Sequence, residues 1–417
     1  MSPATASRSL VFLVPLLALG LGGCSEQKMA TIVPFTSSSD GKLTWNRDVL
    51  PIVQQRCQGC HAPDGIGPFS MMQYSDVTEH VDKMAENVTN RVMPPWMPDP
   101  TCGTFVDDRR LTDDEIAVFA QWAADGALEG DPKDAPSGGG ATADHLASVD
   151  ATLMSETAYT PIGDPNDPKR LDDYHCFILD PKLDQDRFLV GFEVQPGVTR
   201  EVHHVLLYPA KAADALAKDA ETPEAGWTCF GGPGTGGDAV LGGWVPGQPP
   251  NRFPATTGIQ MNKGDLIVMQ VHYNLLNGPP LPDRTLVKLQ YSTGPVENVA
   301  QLLPAVNYGF KIPPHSTDYT SSQSIKLPVS VRVWGVIPHM HTLGKHISVK
   351  TTSQCLVDIP SWDFHWQQTY FYDKPITLAV GDKATLSCTW TNPTDRTITW
   401  GESTTDEMCL SFMYLTY

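Results

Sequence analysis

Five of the twelve histidines lie in three short apolar segments of the second half of the chain. The segments are EVHHVLLY with His203 and His204, VMQVHYN with His272, and PHMHTLG with His339 and His341. Residues two apart on a strand share a face, so His339 and His341 can bind one metal ion. His203 and His204 can do so only at a bulge or a strand end, because neighbours on a regular strand point in opposite directions. Imidazole binds copper, zinc, iron and nickel, so the residue type alone leaves the metal open.

A second pattern, CQGCH, contains Cys57, Cys60 and His61 and is typical of covalent haem attachment. The two thiols can form thioethers with one haem edge, and the histidine can then bind the iron. A redox-active pair of cysteines is the alternative interpretation. Two predicted helices favour haem c: one over residues 45–56 leads into the motif, and a capping box at residues 112–115 begins a later amphipathic helix.

The sixth iron ligand is predicted in the segment RVMPPWMP, which follows the haem motif in the chain. Its three prolines exclude a helix and leave an extended loop. A methionine thioether offered from such a loop can bind haem iron, and it raises the haem potential. Met93 is the favoured ligand, and Met97 is the alternative.

The elements that must position these ligands are indicated by composition and pattern. The chain has 417 residues, enough for two or three domains, and its 34 glycines and 36 prolines favour strands and loops. Residues 41–130 are predicted to form a small all-α, cytochrome c-like haem domain, and residues 131–150 a flexible linker. Strand-like runs such as residues 187–194, broken by turns, then predict two all-β, jelly-roll-like sandwiches at residues 151–300 and 301–417.

The beginning of the chain has the features of an export signal. Residues 1–23 carry one arginine and then an apolar run that is too short to span a bilayer. The run ends in LGGC, and small residues before Cys24 are typical of bacterial lipoproteins, in which this thiol is diacylated. An ordinary secretory signal is the alternative. Residues 24–40 would be a tether, and Ser25 favours the outer membrane, so the protein is predicted to be lipid-anchored on the periplasmic side.

The overall charge bears on the class of partner. The formal net charge is -18, whereas binding to phosphates needs a basic surface. Nucleic acid is therefore excluded as a partner, and small molecules are the expected ones. Export also matters for the nine cysteines, because disulfides persist outside the cytosol.

Five motifs of the second half, taken in order, resemble the copper type II, ascorbate-dependent monooxygenases. This family includes peptidylglycine alpha-hydroxylating and dopamine beta-hydroxylating enzymes. The resemblance covers about residues 174–417 and rests on YHC, on the adjacent histidines, and on QVHY, HMH and TDEMC. It implies two copper ions with distinct ligands. The electron-storing copper would be bound by His203, His204 and His272, and the oxygen-binding copper by His339, His341 and Met408, whose thioether favours Cu(I).

The same resemblance implies two disulfides, Cys176–Cys229 and Cys388–Cys409. The first would pin the first sandwich near its histidine pair, and the second would fix the strand that presents Met408. Cys102 and Cys355 are left over. They are either free and buried or paired across domains.

The chain departs from the family at Ile337. The peptide-hydroxylating members have an arginine two residues before the first histidine of the H-x-H pair, and it binds a substrate carboxylate. Without that guanidinium, the C-terminus of a peptide is a poor substrate. Leu410 and Phe412, just beyond the predicted thioether ligand, also indicate an apolar pocket. We therefore expect an apolar or weakly polar organic substrate.

The resemblance implies hydroxylation of an aliphatic C–H bond of a small organic substrate by O2, with electrons from ascorbate. The fused haem c would relay electrons one at a time to the three-histidine copper, because fusion raises the local concentration of the donor. The reductant would then be a periplasmic or ascorbate-like molecule. The alternative is a non-catalytic periplasmic protein that binds copper or transfers electrons.

Overall fold

The computed structural model of the chain describes residues 41–63, 67–137, 145–164, 166, 170–236 and 239–417. The signal and tether predicted for residues 1–40, with the lipidation of Cys24, lie outside the described residues. Within the described residues, no helix is long and apolar enough to cross a membrane. The described chain is mostly β-sheet, and most of its helices lie before residue 130.

The early helices pack around a core of their own, in which Trp45, Phe119 and Trp122 are buried. The last of them begins at the predicted capping box, where the Thr112 hydroxyl accepts from the Glu115 N–H at 3.2 Å. The cytochrome assignment of this part stays a prediction. The helical elements are a π-helix Trp45–Val49, α1 Leu50–Arg56, α2 Tyr74–Val77, α3 Val81–Thr89, α4 Asp113–Ala124, a 3-10 helix Pro132–Asp134, α5 Ala212–Asp219 and a 3-10 helix Phe364–Trp366.

The strands of the described chain follow from residue 151 onward, where β-branched and aromatic residues are frequent. They are β1 Ala151–Met154, β2 Asp172–Leu179, β3 Arg187–Gln195, β4 Val202–Ala210, β5 Trp227–Thr228, β6 Gly242–Trp244, β7 Asn251–Arg252, β8 Thr257–Met261, β9 Leu266–Asn274, β10 Leu286–Tyr291, β11 Asn298–Val306, β12 Lys311–Ile312, β13 Ser316–Lys326, β14 Val331–His339, β15 Gly344–Lys350, β16 Cys355–Ile359, β17 Tyr370–Leu378, β18 Lys383–Asn392, β19 Ile398–Thr399 and β20 Leu410–Thr416.

These strands form one large sheet and three smaller ones. The nine-stranded sheet has the order β1, β10, β3, β8, β11, β20, β14 and β17, and β7 pairs with β3. A five-stranded sheet has the order β5, β2, β9, β4 and β6, and a four-stranded sheet has the order β13, β18, β15 and β16. β12 and β19 form the remaining pair. One apolar core lies between the five-stranded sheet and the first strands of the large sheet, and a second lies between the four-stranded sheet and its last strands.

The large sheet continues without a break through both of these layered halves. β11 pairs in parallel with β8, where Asn298 is opposite Thr257, and antiparallel with β20, where Leu302 is opposite Tyr414. The boundary expected at residue 300 therefore falls inside a strand. Backbone hydrogen bonds across β11 join the two halves into one layer.

Three disulfides link the described residues. Cys176 pairs with Cys229 and Cys388 with Cys409, as the family resemblance implies. The pair left open by the sequence, Cys102 and Cys355, is also joined, with a separation of 253 residues. This third bond connects the early part of the chain to β16 in the second half.

Residues 95–109, named here the docking segment, lie against the second half of the fold. Phe105 pairs with Tyr372 in an isolated bridge, and its side chain is buried in the second core. The N–H of Val106 donates to the carbonyl of Phe371 at 2.9 Å. The early part of the chain is thus attached by a disulfide and by backbone pairing as well as by the linker expected at residues 131–150.

Candidate metal centre

His203 and His204 on β4 lie beside His272 on β9. The two strands run antiparallel, with Val202 opposite Tyr273 and His204 opposite His272. β4 therefore has one extra residue, His203, between two successive pairs, which is a β-bulge. Two adjacent histidines can reach one ion only at a bulge or a strand end, and β4 has such a bulge. The bulge brings the rings of His203 and His204 to the side on which His272 lies.

The three Nδ1 atoms converge in this group. The Nδ1 of His204 lies 3.2 Å from that of His203 and 3.3 Å from that of His272, and one possible ligand atom from each residue lies within 4.8 Å of the others. Nitrogens bound about 2.0 Å from a tetrahedral ion, as in zinc sites, lie about 3.3 Å from one another. Burial lowers the pKa of His203 and of His204, which keeps these imidazoles neutral. Neutral converging nitrogens fit a metal ion such as copper.

Asp172 holds the third ring of this group from outside. Its Oδ1 lies 2.9 Å from the Nε2 of His272 and also accepts from the Nδ2 of Asn274 and the hydroxyl of Thr404. Burial alone would raise the pKa of Asp172, but the hydrogen bond with His272 and those from the other donors lower it to about 2. An ionised acceptor at Nε2 fixes the hydrogen there and directs the Nδ1 lone pair of His272 into the group.

His339 and His341 form a second group at the end of β14. The Nδ1 of His339 lies 2.5 Å from the Oε1 of Gln367, and the Nδ1 of His341 lies 3.1 Å from the carbonyl of Asp406. Burial lowers the pKa of His339 to about 4 and that of His341 to about 3. Both acceptors favour the hydrogen on Nδ1, so Nε2 is the nitrogen available to a metal ion.

The segment that carries Met408 runs beside this second pair. His339 is opposite Leu410 in the register of β14 and β20, and Met408 itself is buried. The buried carboxylate of Glu407 accepts from the N–H of His341 at 3.0 Å and from that of Met408 at 3.3 Å. One carboxylate therefore ties the backbone of a candidate imidazole ligand to that of the candidate thioether ligand.

One aromatic ring lies between the two groups. Phe364 stacks on His203 with centroids 4.6 Å apart, and its centroid is 6.0 Å from that of His341. Sequence reasoning assigned no role to Phe364 or to Gln367, because neither belongs to a pattern that predicts one. Glu407 lies in the TDEMC motif and Asp172 lies just before YHC, so their places in the motifs were the signal that could have identified these two residues.

The CQGCH motif directly follows α1, and haem attachment at this motif stays a prediction. Cys57 and Cys60 take part in none of the disulfides of the described chain, and burial raises the pKa of the Cys57 thiol to about 12. His61 is buried, and its Nδ1 lies 2.9 Å from the carbonyl of Phe69. That contact leaves Nε2 as the nitrogen that can bind iron.

The two candidate sixth ligands have different surroundings. Met97 packs against the second core, and its sulfur accepts from the N–H of Asp363 at 3.3 Å. Met93 is half-buried, and along the chain it lies after the end of α3 and before the docking segment. Met97 thus already has a partner in the second half of the fold, and the identity of the sixth ligand stays a prediction.

Comparison with known protein families gives two matches. Residues 163–279 match the model for the copper type II ascorbate-dependent monooxygenase, N-terminal domain, and residues 298–417 match the model for its C-terminal domain. Together these matches cover more than half of the chain. They contain the six candidate copper ligands: His203, His204, His272, His339, His341 and Met408.

Two similar proteins are mammalian. DBH-like monooxygenase protein 2 of Mus musculus is 26% identical over 238 residues, which cover 51% of this chain and 38% of that protein. Putative DBH-like monooxygenase protein 2 of Homo sapiens is 22% identical over 269 residues, covering 58% of this chain and 52% of that protein. The chain thus spans about half of these relatives or less. Among solved structures, the major capsid protein P2 of bacteriophage PM2 matches with a TM-score of 0.25 and 7% sequence identity. The match covers 64% of this chain and 97% of the capsid protein, and it is too weak to carry an argument.

Proposed function

Because this chain contains both domains of the copper type II ascorbate-dependent monooxygenases, we propose that it is a copper-dependent monooxygenase acting on a small organic substrate. The reaction would convert an aliphatic C–H bond, O2, two electrons and two protons into an alcohol and water. The observation that carries the proposal is the convergence of the Nδ1 atoms of His203, His204 and His272 beside a separate pair formed by His339 and His341. Bound copper would supply one-electron transfer at the first group and O2 activation at the second.

The residues of the chain have distinct tasks in this reaction. The first group would bind its ion through three Nδ1 atoms, with Asp172 holding the ring of His272. The second group offers two Nε2 atoms and, on this proposal, the thioether of Met408. Because burial keeps His339 and His341 neutral, both rings are ready to bind an ion without first losing a proton.

The substrate would be apolar or weakly polar. Ile337 is on the same face of β14 as His339, because the two residues are two apart on the strand. Ile337 is opposite Phe412 of β20, and both side chains pack against the first core. Where a guanidinium would bind a carboxylate, this chain has adjacent aliphatic and aromatic surface, which favours an apolar group next to the second site.

The electrons are proposed to come from a covalently bound haem c. Cys57 and Cys60 would form the thioethers, His61 would bind the iron, and Met93 would be the sixth ligand, with Met97 as the alternative. The support is the geometry of His61 and the attachment of the docking segment to the second half of the fold. Lipidation at Cys24 would place the protein on the periplasmic side of the outer membrane, where a periplasmic or ascorbate-like molecule would reduce the haem.

Metal content and product mass test these assignments together. Anaerobic titration of the full chain with copper is expected to reach two copper ions per chain. Iron analysis of protein expressed in a host that attaches haem is expected to give one haem iron per chain. After reduction, addition of O2 with a panel of small apolar molecules should give a product heavier by one oxygen. His339→Ala should abolish this product while the first group still binds copper. Copper binding without any oxygenated product would favour the electron-transfer alternative, and a reduced haem that stays reduced beside oxidised copper would refute the relay.

A further inference from the structure

The short segment between β16 and β17 contacts both histidine groups. Residues 363–368 are named here the bridging loop, and they contain the 3-10 helix Phe364–Trp366. The Asp363 carboxylate caps this turn by accepting from the N–H of His365 at 2.9 Å. The side chain of Gln367 donates to the carbonyl of Phe364 at 2.8 Å. These contacts hold the loop in one compact conformation.

The bridging loop contacts the first group through one ring. The planes of Phe364 and His203 are inclined by 22°, so the two rings stack face to face at 4.6 Å. Stacked aromatic rings at this separation are in van der Waals contact. His203 is thereby packed on the side that faces the second group.

The same loop contacts both histidines of the second group. Phe364 approaches His341 edge-on, with centroids 6.0 Å apart and planes at 78°. Gln367 accepts from the Nδ1 of His339. Phe364 is therefore in ring contact with one histidine of each group, and its own carbonyl is bonded to the amide that orients a third histidine.

The outer ends of the bridging loop are held by the docking segment. The N–H of Asp363 donates to the sulfur of Met97 at 3.3 Å. At the other end, a guanidinium nitrogen of Arg109 donates to the Oε1 of Gln368 at 3.2 Å. Because the docking segment is itself fixed by the Cys102–Cys355 bond, the position of Phe364 is determined from both sides.

We propose that Phe364 is the positioning residue that sets the separation of the two copper sites and forms the packed contact across which one electron passes between them. This inference rests on the proposed monooxygenase function. A copper ion held by His203, His204 and His272 would go from Cu(I) to Cu(II) in this transfer, and the electron that it loses would pass to the second group for the reduction of O2. The phenyl ring is neither oxidised nor reduced. An external reductant, of the ascorbate or haem class, then restores the first copper.

The physical reason is the nature of the space between the sites. Electron transfer weakens steeply when packed atoms are replaced by a gap or by mobile water. Phe364→Leu keeps an apolar side chain of similar reach but removes the flat surface that stacks on His203. Since Phe364 is half-buried, the leucine should be tolerated by the fold. The distance and packing between the sites would change, whereas the ligands would not.

Carbon monoxide is a suitable probe, because it binds Cu(I) and requires no known substrate. On the proposed ligand sets, the thioether of Met408 favours Cu(I) at the second site, so carbon monoxide is expected to hold the reduced copper there in half-reduced full-length protein. A light flash releases the gas, and the electron can then pass from the second site back to the first. The decay of the first-site Cu(II) signal therefore measures, in the reverse direction, how fast an electron crosses the contact at Phe364. We expect Phe364→Leu to slow this transfer about tenfold or more, as small misplacements at reactive sites do. Copper content and the C–O stretching frequency should match those of the wild type.

Two further variants complete the test. Phe364→Tyr keeps the ring and should restore a rate near that of the wild type. Ser361→Ala changes an exposed position just before the bridging loop and should leave the rate unchanged. Wild-type transfer in Phe364→Leu, or slow transfer in Phe364→Tyr, would overturn the inference. Failure of the wild-type protein to bind a second copper would instead refute the proposed function, so the two failures are distinguishable.

Discussion

At the scale of single residues, the two histidine groups use opposite ring nitrogens. Asp172 accepts at the Nε2 of His272, so the first group converges through Nδ1. Gln367 accepts at the Nδ1 of His339, so the second group presents Nε2. The acceptor outside each ring therefore decides which nitrogen is available to the ion. The two sites can differ in geometry although both contain histidine.

Asp172→Asn is expected to weaken copper binding at the first group about 10- to 100-fold. The amide lacks the negative charge that polarises His272, and it can present its NH2 to the ring. Competition with a Cu(I) chelator measures the affinity of each site. Asp184→Asn, at an exposed position before β3, is the matched control and should leave both affinities unchanged. An unaltered first-site affinity in Asp172→Asn would contradict the role given to this carboxylate.

Gln367→Leu is expected to weaken copper binding at the second group by a similar factor, about 10- to 100-fold. Its loss leaves the buried Nδ1–H of His339 without an acceptor, and the ring is then free to rotate. Carbon monoxide binding to the reduced protein measures the change, because the proposed second site is the one that favours Cu(I). Gln323→Leu, on an exposed position of β13, is the control. The idea fails if carbon monoxide affinity is the same in both variants.

At the scale of elements, one buried carboxylate organises the end of β14 and the start of β20. Glu407 accepts from the backbone N–H groups of His341, Leu343 and Met408, and from the Nε1 of Trp390 at 2.9 Å. Burial raises the pKa of Glu407 to about 7, and the hydrogen bonds that it accepts oppose that rise. The neighbouring Cys388–Cys409 bond fixes the same strand end. Buried contacts therefore fix the backbone of the candidate ligands His341 and Met408.

Glu407→Ala should lower the free energy of unfolding by about 3 kcal/mol or more, because several buried donors lose their acceptor. The variant should also lose copper at the second group in preference to the first. Urea unfolding followed by tryptophan fluorescence and copper analysis measure both effects. Glu297→Ala, at an exposed loop position, is the comparison. Equal copper content at the two groups in Glu407→Ala would show that the carboxylate serves stability alone.

At the scale of the whole molecule, the early part of the chain is attached to the second half of the fold in two independent ways. The docking segment forms backbone pairs with β17 and a disulfide with β16. The continuous nine-stranded sheet joins the halves that carry the two histidine groups. The relative position of the early chain and both groups is thus determined by bonds rather than by the linker.

Replacing both Cys102 and Cys355 by serine should increase hydrogen exchange in residues 95–109, because that segment would be held only by non-covalent contacts. Removal of the cross-link should also cost about 2–4 kcal/mol of stability. Copper content should stay near that of the wild type, since neither cysteine is close in the chain to a candidate ligand. Replacing Cys388 and Cys409 in the same way should instead reduce copper at the second group. Identical behaviour of the two double variants would contradict this division.

The local sequence was sufficient to recognise the chemistry of the candidate ligands and their class of protein. Residue types and short spacings, such as HMH and TDEMC, carry that information, and the family matches confirm the two copper monooxygenase domains. The two disulfides implied by the resemblance are present, and the described fold is mostly β-sheet as expected. The haem, the lipid anchor and the role of each ligand stay predictions.

Tertiary structure alone decided which distant residues surround those ligands. Phe364 and Gln367 follow the nearest candidate ligand by more than twenty residues, and no periodic pattern leads to them. Cys102 forms a disulfide with Cys355, 253 residues further along the chain. β11 joins the two halves at residue 300, where the sequence predicted a boundary between domains. Patterns of a few residues encode the local backbone and the donor atoms, whereas the second layer of contacts depends on how sheets and loops pack after folding.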